Sequence, residues 1–471
     1  MRRIALLLGL TVAACAAPRT EQALTPTTPA ALGLTGAPAP AIDPEWWRSF
    51  GDPQLDRLVA DATAGSPNLQ AALARVEQAG ATLSARRAER GPDASLSVQP
   101  QVARLSGVYE IPPPYAGTVR FVGTAGVNLA YDLDLFGRQR ATIEGARASV
   151  RAAALDGEAA RLALAGAVAQ TYLDLARAEI QAGIARRTIG AREDNLRLVR
   201  AQIRNQLASK VQQAAAETLL AQAREALTGA EGARVLATDA LAALAGHGPG
   251  YAAGIGPTAL KLDAALPIPA TLPADLLGRR ADIAAAQARI EAAQAGRLAA
   301  RRAYYPNINL GGLVGLQAIG LGNLFSLDAA TIGAGPALSL PVFDTGRLRA
   351  GLAGAVAAVD VAVADYNARV VGAAREAADA LSQTANLRRA SEQQASVVRG
   401  LRQTAHLNNV RVASGLDSKL DLVDTDVRLL DAELDQANLA TDAARARVQL
   451  VLALGGGFAP IAAQPAQGSP Q

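Results

Sequence analysis

Between residues 95 and 103 apolar and polar side chains alternate, with Leu96, Val98, Pro100 and Val102 on one parity and Ser95, Ser97, Gln99 and Gln101 on the other. A two-residue period is that of a strand with one apolar and one polar face. The period returns over 118–131, where Val119, Phe121, Ala125, Val127, Leu129 and Tyr131 oppose Thr118, Arg120, Thr124 and Asn128. It appears again over 307–319, with Ile308, Leu310, Val314, Leu316 and Ala318 against Asn307, Asn309 and Gln317, and over 331–342 at Ile332, Ala334, Leu338, Leu340 and Val342. Four strands in two pairs are predicted. No charge lies between Arg302 and Asp328, so a hydropathy window over 303–327 suggests a membrane helix, but Pro306, the glycine-rich interior and the alternation favour strand.

After each strand pair comes a short turn, YDLDLFGR at Tyr131–Arg138 and LPVFDTGR at Leu340–Arg347, and then the period changes. From Leu155 apolar positions step by four and three through Ala159, Leu162, Gly166, Ala169, Leu173, Ala176 and Ile180, in a proline-free run from 139 to about 206. A repeat near 3.5 marks a left-handed coiled seam, and a helix of this length extends about 100 Å. After a hesitation at Asn205–Lys210 a helix is expected through Leu244. The second long helix follows Gly346, with Val359, Val363, Tyr366, Val370, Ala373, Ala377, Ala380, Thr384 and Leu387 on its seam. Beyond Ser414-Gly415 the seam continues through Leu416, Leu420, Val423, Val427, Leu430, Leu434, Ala437, Thr441, Ala444, Val448 and Val451 to Gly455-Gly456-Gly457. Shorter helices are expected after Asp52-Pro53, over Leu69–Arg90 and over Ala274–Arg302.

The chain thus reads as a duplicated unit: 45–245, an intervening Gly/Pro-rich segment 246–278, a second repeat 279–454, and a tail 455–471. Of its 471 residues half are hydrophobic but only 3% are aromatic, which suits close helix packing better than a bulky core. The formal net charge of +4 is mild, and arginines interleave with acids along the helices, so nucleic acid is not an expected partner. A four-stranded sheet cannot close a membrane barrel alone, and a helix this long buries its stripe only against neighbours. Both point to a ring of identical chains. A pair of strands feeding a long coiled coil, twice, suggests a membrane-crossing conduit.

Cys15 is the only cysteine. Arg2 and Arg3, then apolar Ile4–Val12, then Val12-Ala13-Ala14-Cys15 resemble a bacterial lipoprotein signal, with 1–14 removed, Cys15 acylated and 15–44 an extended linker. An ordinary secretory signal with an incidental cysteine is the alternative.

The segments WWRSFGDPQLDRLV, LPADLLGRRADIAAAQARIEAA, AYYPNINLGGLVGL, LGNLF, LSLPVFDTGRLRA and ALGGGF, with the lipobox, resemble outer membrane factors of the TolC type, nearest to the lipidated branch serving resistance-nodulation-division efflux pumps. The resemblance spans Trp46 to Phe458. It implies a mainly α fold with transmembrane β: a homotrimer whose twelve-stranded β-barrel, four strands per chain, continues into a periplasmic α-barrel. Residues 45–65, 246–278 and those after 455 would form an equatorial girdle. The implied role is a passive exit duct for small molecules in a Gram-negative outer membrane, with outer membrane lipid, a periplasmic adaptor (membrane fusion) protein and an inner-membrane pump as partners. Ala16 after the cysteine favours sorting to that membrane. Alternatives are the exit duct of a type I protein secretion system and a lipid-anchored coiled-coil scaffold without a channel.

Asp417, Asp421, Asp424, Asp431 and Asp435 step by four and three beside the last seam, interrupted by Arg428. They read either as a solvated face or, by resemblance, as carboxylates that ring the closed aperture, with Asp421 and Asp424 matching that place. Three copies in a narrow pore would favour cations. Leu207, Ala208 and Ser209 in one turn, and Ser414, Gly415 and Leu416 in the other, are the implied adaptor-contacting tips. The first tip departs from the family pattern, with Lys210 following Ser209 and Gln212 where a carboxylate is expected, which argues against a latch built as in relatives. His247 and His406 lack neighbours at ligand spacing, and Met1 is the sole methionine, so no metal or other cofactor is expected. Trp46 and Trp47 suit packing in the girdle more than headgroup contact, and Tyr131, Tyr304 and Tyr305 are barrel-interface candidates. With no nucleophile elbow or phosphate loop, no enzyme site is expected.

Overall fold

The computed structural model describes residues 21–34, 41–108, 111–264, 275–341 and 343–458. Cys15, the signal segment and the tail beyond Phe458 lie outside them. The helices longer than one turn are α1 (Pro53–Gly65), α2 (Pro67–Ala88), α3 (Arg138–Arg204), α4 (Lys210–Leu244), α5 (Ala281–Arg302), α6 (Thr345–Ala413) and α7 (Lys419–Ala453). The strands are β1 (Asp93–Arg104), β2 (Val119–Asp132), β3 (Asn307–Ile319) and β4 (Ala330–Ser339). Asp52 caps α1, accepting from the Gln54 backbone N–H at 3.0 Å, with Pro53 at the first helical position. The chain divides into two units, Met1–Pro26 with Arg75–Ala153 and Ala286–Tyr366, and Thr27–Ala74 with Ala154–Ala285 and Asn367–Gln471.

In the first unit the strands form one antiparallel sheet in sequence order, β1-β2-β3-β4. Its register sets Leu96 opposite Val127, Val127 opposite Val314 and Val314 opposite Ile332. Directly paired side chains share a face, so this is one apolar row across all four strands. Its members are 72, 39, 53 and 81% exposed, and the row is therefore not covered by the chain's own core. The opposite face aligns Gln99, Thr124 and Gln317, and Asn128 donates to the Ser97 hydroxyl at 3.2 Å. Below the strands, Tyr304 packs with Leu348, Leu352 and Val356, and Ile290 with Val359 and Val363. No helix among the described residues is long and apolar enough to cross a membrane.

The second unit has a core in which Trp46, Trp47, Phe50, Leu55 and Leu58 pack on Val168, Tyr172 and Leu175 of α3 and on Ala444, Val448 and Val451 of α7. Each fully buried large side chain contributes about 1.5–3 kcal/mol. The four-three seams are buried along their middle, with Val370, Ala377, Thr441, Ala444 and Val448 all at 0% exposure, but Leu416, expected to open the last seam, is 70% exposed. On α3 a second buried stripe, Ala165, Val168, Tyr172 and Leu175, lies beside the expected one. Burial pushes the Tyr172 hydroxyl far above its ordinary range, aided by its hydrogen bond to Asp52.

Four expectations change. The last strand stops at Ser339, ahead of Pro341, which has no N–H to give a ladder, while Val342 lies outside the described residues. The helix expected from Ala274 begins at Ala281, after a short 3-10 turn at Leu276–Arg279 and an extended Arg280 whose guanidinium reaches Asp282 and Glu376, both at 2.8 Å. Tyr304 is buried against α6 and is therefore not an exposed interface residue, whereas Tyr131 stays on the sheet's apolar face and Tyr305 stacks on Phe136 at 5.1 Å. The described part of the 15–44 linker is not free: Pro29–Leu32 forms a 3-10 turn, Leu34 is buried, and the backbone N–H groups of Ala23, Leu24 and Thr27 find acceptors on α6.

Candidate gate at the helical tips

Each hairpin of the second unit turns on the same device. At the first tip α3 ends at Arg204, Gln206 takes a left-handed φ of 61°, and the Leu207 N–H donates back to the Gln202 carbonyl at 2.8 Å. At the second α6 ends at Ala413, Gly415 has φ 73°, and the Leu416 N–H donates to the Arg411 carbonyl at 2.9 Å. Both are helix stops of the left-handed C-cap type. The next helix then starts on a serine. Ser209 accepts from the Gln212 N–H at 3.4 Å while the Gln212 side chain accepts from the Ser209 N–H at 2.8 Å. Ser418 accepts from the Asp421 N–H at 3.2 Å and donates its hydroxyl to the Asp421 carboxylate at 2.7 Å.

Aligned on these caps, Ala208 corresponds to Asp417, Lys210 to Lys419 and Gln212 to Asp421. The lysine is thus common to both tips, and the charge difference between 206–212 and 415–421 is two carboxylates. The signal was present as Ser-x-x-Gln and Ser-x-x-Asp, of which the first closes a full capping box and the second a serine N-cap. At both apices the leucines stand in solvent, Leu207 at 76% and Leu416 at 70%.

Asp417 accepts from Arg411 at 3.0 Å and from the Ser418 N–H at 3.1 Å. The Arg411 hydrogen bond, then that of Ser418, holds its carboxyl below the usual range. Asp424 pairs with Arg428 at 2.8 Å, and both are exposed. Asp421, Asp424, Asp431 and Asp435 do share one exposed face of α7, with Asp424 and Asp431 one position after the buried Val423 and Leu430. The structure therefore groups Asp421 and Asp424 as expected, but turns Asp417 back onto Arg411 as part of the turn.

Two further ties were not legible from spacing. Leu420 packs against Leu196, Val199, Ala216 and Leu220, joining the second tip to the first hairpin. About 22 Å along α7 from its cap, Glu433 accepts from Arg187 of α3 at 2.9 Å and from Arg402 of α6 at 2.8 Å. Burial raises the Glu433 pKa, but the two arginines outweigh it and the net shift is downward. His247 stacks on Tyr251 at 4.6 Å and His406 is exposed. Among the described residues no group of three or more His, Cys, Asp or Glu is placed to hold a metal ion.

A family model described as outer membrane efflux protein matches residues 58–247 and 272–456. The chain is 36% identical over 324 residues to the fusaric acid resistance protein FusA of Burkholderia cepacia, a match covering 68% of this chain and 61% of FusA. It is 33% identical over 473 residues to the outer membrane protein OprJ of Pseudomonas aeruginosa, covering 96% of this chain and 95% of OprJ. The crystal structure of the outer membrane protein VceC from Vibrio cholerae superposes with a TM-score of 0.81 at 31% identity, covering 89% of this chain and all of VceC.

Proposed function

The chain belongs to the outer membrane efflux protein family, and from that premise we propose that three copies form the passive exit duct of a tripartite efflux system. The observation that carries the reading is the uncovered apolar row Leu96–Val127–Val314–Ile332 on a sheet whose edge strands β1 and β4 each have one unpaired side. A strand of 13 residues rising about 3.3 Å each, tilted about 45°, spans about 30 Å, the thickness of a hydrocarbon core. In lipid an open edge strands its N–H and C=O groups, so β1 of one copy pairs with β4 of the next and twelve strands close the barrel. The apolar face meets lipid, and the face bearing Gln99, Thr124 and Gln317 lines the lumen. Exposed Val397, Leu407 and Val410 on α6 and Val235 and Leu236 on α4 supply apolar surface for neighbouring copies.

In this reading the hairpins lie in the periplasm, and the tips, through Leu207 with Ala208 and Ser209 and through Leu416 with Ser414 and Gly415, meet an adaptor protein and the inner-membrane pump that supplies the energy. Asp421 and Asp424 of three copies ring the aperture and favour cations, with Asp417 bracing the turn beside them. Cys15 carries the acyl chains, each buried methylene contributing about 0.8 kcal/mol to anchoring in the outer membrane. Family membership and the likeness to VceC support a channel over a scaffold. Native mass measurement of the full chain extracted from the outer membrane tests the assembly: three copies are expected, and a monomer would refute the closed barrel.

A further inference from the structure

The apolar face of the sheet carries an aromatic side chain towards each end. Phe121 and Tyr131 lie ten residues apart on β2, and the unbroken register keeps their parity on one face. Ten residues rise about 33 Å along a strand, or about 25 Å of height at a tilt of about 40°, the apolar band of a membrane barrel. Going from Tyr131 past Phe121, the first charge on that face is Arg104, which pairs with Val119. Phe121 therefore stands at the edge of the band far from the long helices.

At that edge the β3–β4 connection folds back onto the same face. Gly320, at φ 90°, turns the chain and donates its N–H to the Phe121 carbonyl at 2.8 Å. Leu324 is then only 8% exposed, on a face whose paired row is open. Its seat is Gly123, where a Cβ would stand 3.1 Å from Leu324 Cδ2 and 2.9 Å from Phe121 Cε1. Gly123 pairs with Ala318, so two small residues make the hollow. The turn is closed by its own bonds, Asn323 Nδ2 donating to the Ile319 carbonyl at 3.2 Å and Ser326 Oγ to the Asn323 carbonyl at 2.8 Å. Yet Leu321, Phe325 and Leu327 are 61, 83 and 93% exposed, so no described residue covers them.

We propose that Leu321, Phe325 and Leu327 insert into the lipid leaflet far from the long helices, and that Leu324, seated on Gly123, is the residue that positions them. This rests on the reading that the apolar face meets lipid. The occupant follows from continuity: Leu324 holds the connection on the face that bears the row Leu96–Val127–Val314–Ile332, at the height where the band ends. Asp328, exposed beside Leu327, suits the interface rather than the acyl interior. Three copies then form an apolar collar that fixes the depth of the barrel.

The test uses purified full-length protein in phosphatidylcholine vesicles with brominated acyl chains, which quench tryptophan at short range. Trp46 and Trp47, buried in the core of the second unit, give a constant background. The emission added by F325W or by L327W is expected to fall at least twofold relative to unbrominated vesicles. A smaller fall, whether aqueous iodide then reaches the tryptophan or a second copy covers it, overturns the collar. V127W, on the sheet face, separates the two readings. Lipid quenching there but not at 325 and 327 sinks the collar alone, and none at any of the three sinks the lipid face itself. Adding L324A to F325W is expected to weaken lipid quenching at least twofold and to admit iodide; quenching retained in full overturns Leu324 as the positioning residue.

Discussion

Gln212 and Asp421 occupy the same position of the same turn, and each completes a serine cap through an uncharged or charged oxygen. Capping therefore does not require the charge at Asp421, and folding and selectivity can be separated there. D421Q/D424N is expected to leave amide exchange across 414–424 within about twofold of wild type while shifting the reversal potential in a salt gradient toward non-selectivity; an unchanged reversal potential would remove both residues from the aperture. Asp417 differs, because its counterpart Ala208 has no carboxylate to offer. Its pKa is lowered by Arg411 and the Ser418 N–H, so the ionised form is the one the fold favours. That stabilisation is complete above the unfolded value, about 4 for an aspartate, and is lost as pH falls through the lower folded value. Exchange at 411–418 should accelerate over that window while 202–209, lacking the pair, serves as control. Equal acid sensitivity of the two tips would refute the assignment.

Elements were legible where a single periodicity dominated. The alternation over 95–103 and 307–319 sorts onto two faces by the strand register, and the seam through Val359, Val363 and Val370 is fully buried, so spacing alone places them. Spacing failed where one helix is buried on more than one side. Around Tyr172 the apolar side chains of α3 fill two adjacent stripes, and the one that receives Trp46 and Phe50 is invisible until the partner is known. Asp52 shows the same limit: as a helix start it could be read locally, but it also accepts from Tyr172 at 2.7 Å and the Ala259 N–H at 2.7 Å, far along the chain. The closing Gly455-Gly456-Gly457 was legible only as a stop. Its reason is that all three have positive φ, and a Cβ on Gly455, at φ 105°, would lie 2.0 Å from the Arg279 carbonyl oxygen. G455A combines that clash with a conformation alanine avoids, and is expected to destabilise by at least about 2 kcal/mol, read as a lower thermal midpoint. A midpoint equal to wild type would show that this contact is not made.

At the scale of the whole molecule the decisive fact is what one chain leaves undone. Among the described residues it builds a sheet with an apolar face that none of them covers and two edges that none of them pairs, and helices whose valines at 397 and 410 stand in solvent. The duplication supplies two strands and one long hairpin per repeat, and the same need for neighbours recurs in both. The two repeats are alike in their tip geometry and unlike in charge, so a duct made from three of them presents its carboxylates on alternate hairpins. Whether such a duct exists is answered most directly by single-channel recording of the purified full-length trimer in planar bilayers. The account predicts reproducible, cation-selective events whose selectivity falls in D421Q/D424N. A correctly folded trimer that inserts and yields no conductance would contradict it.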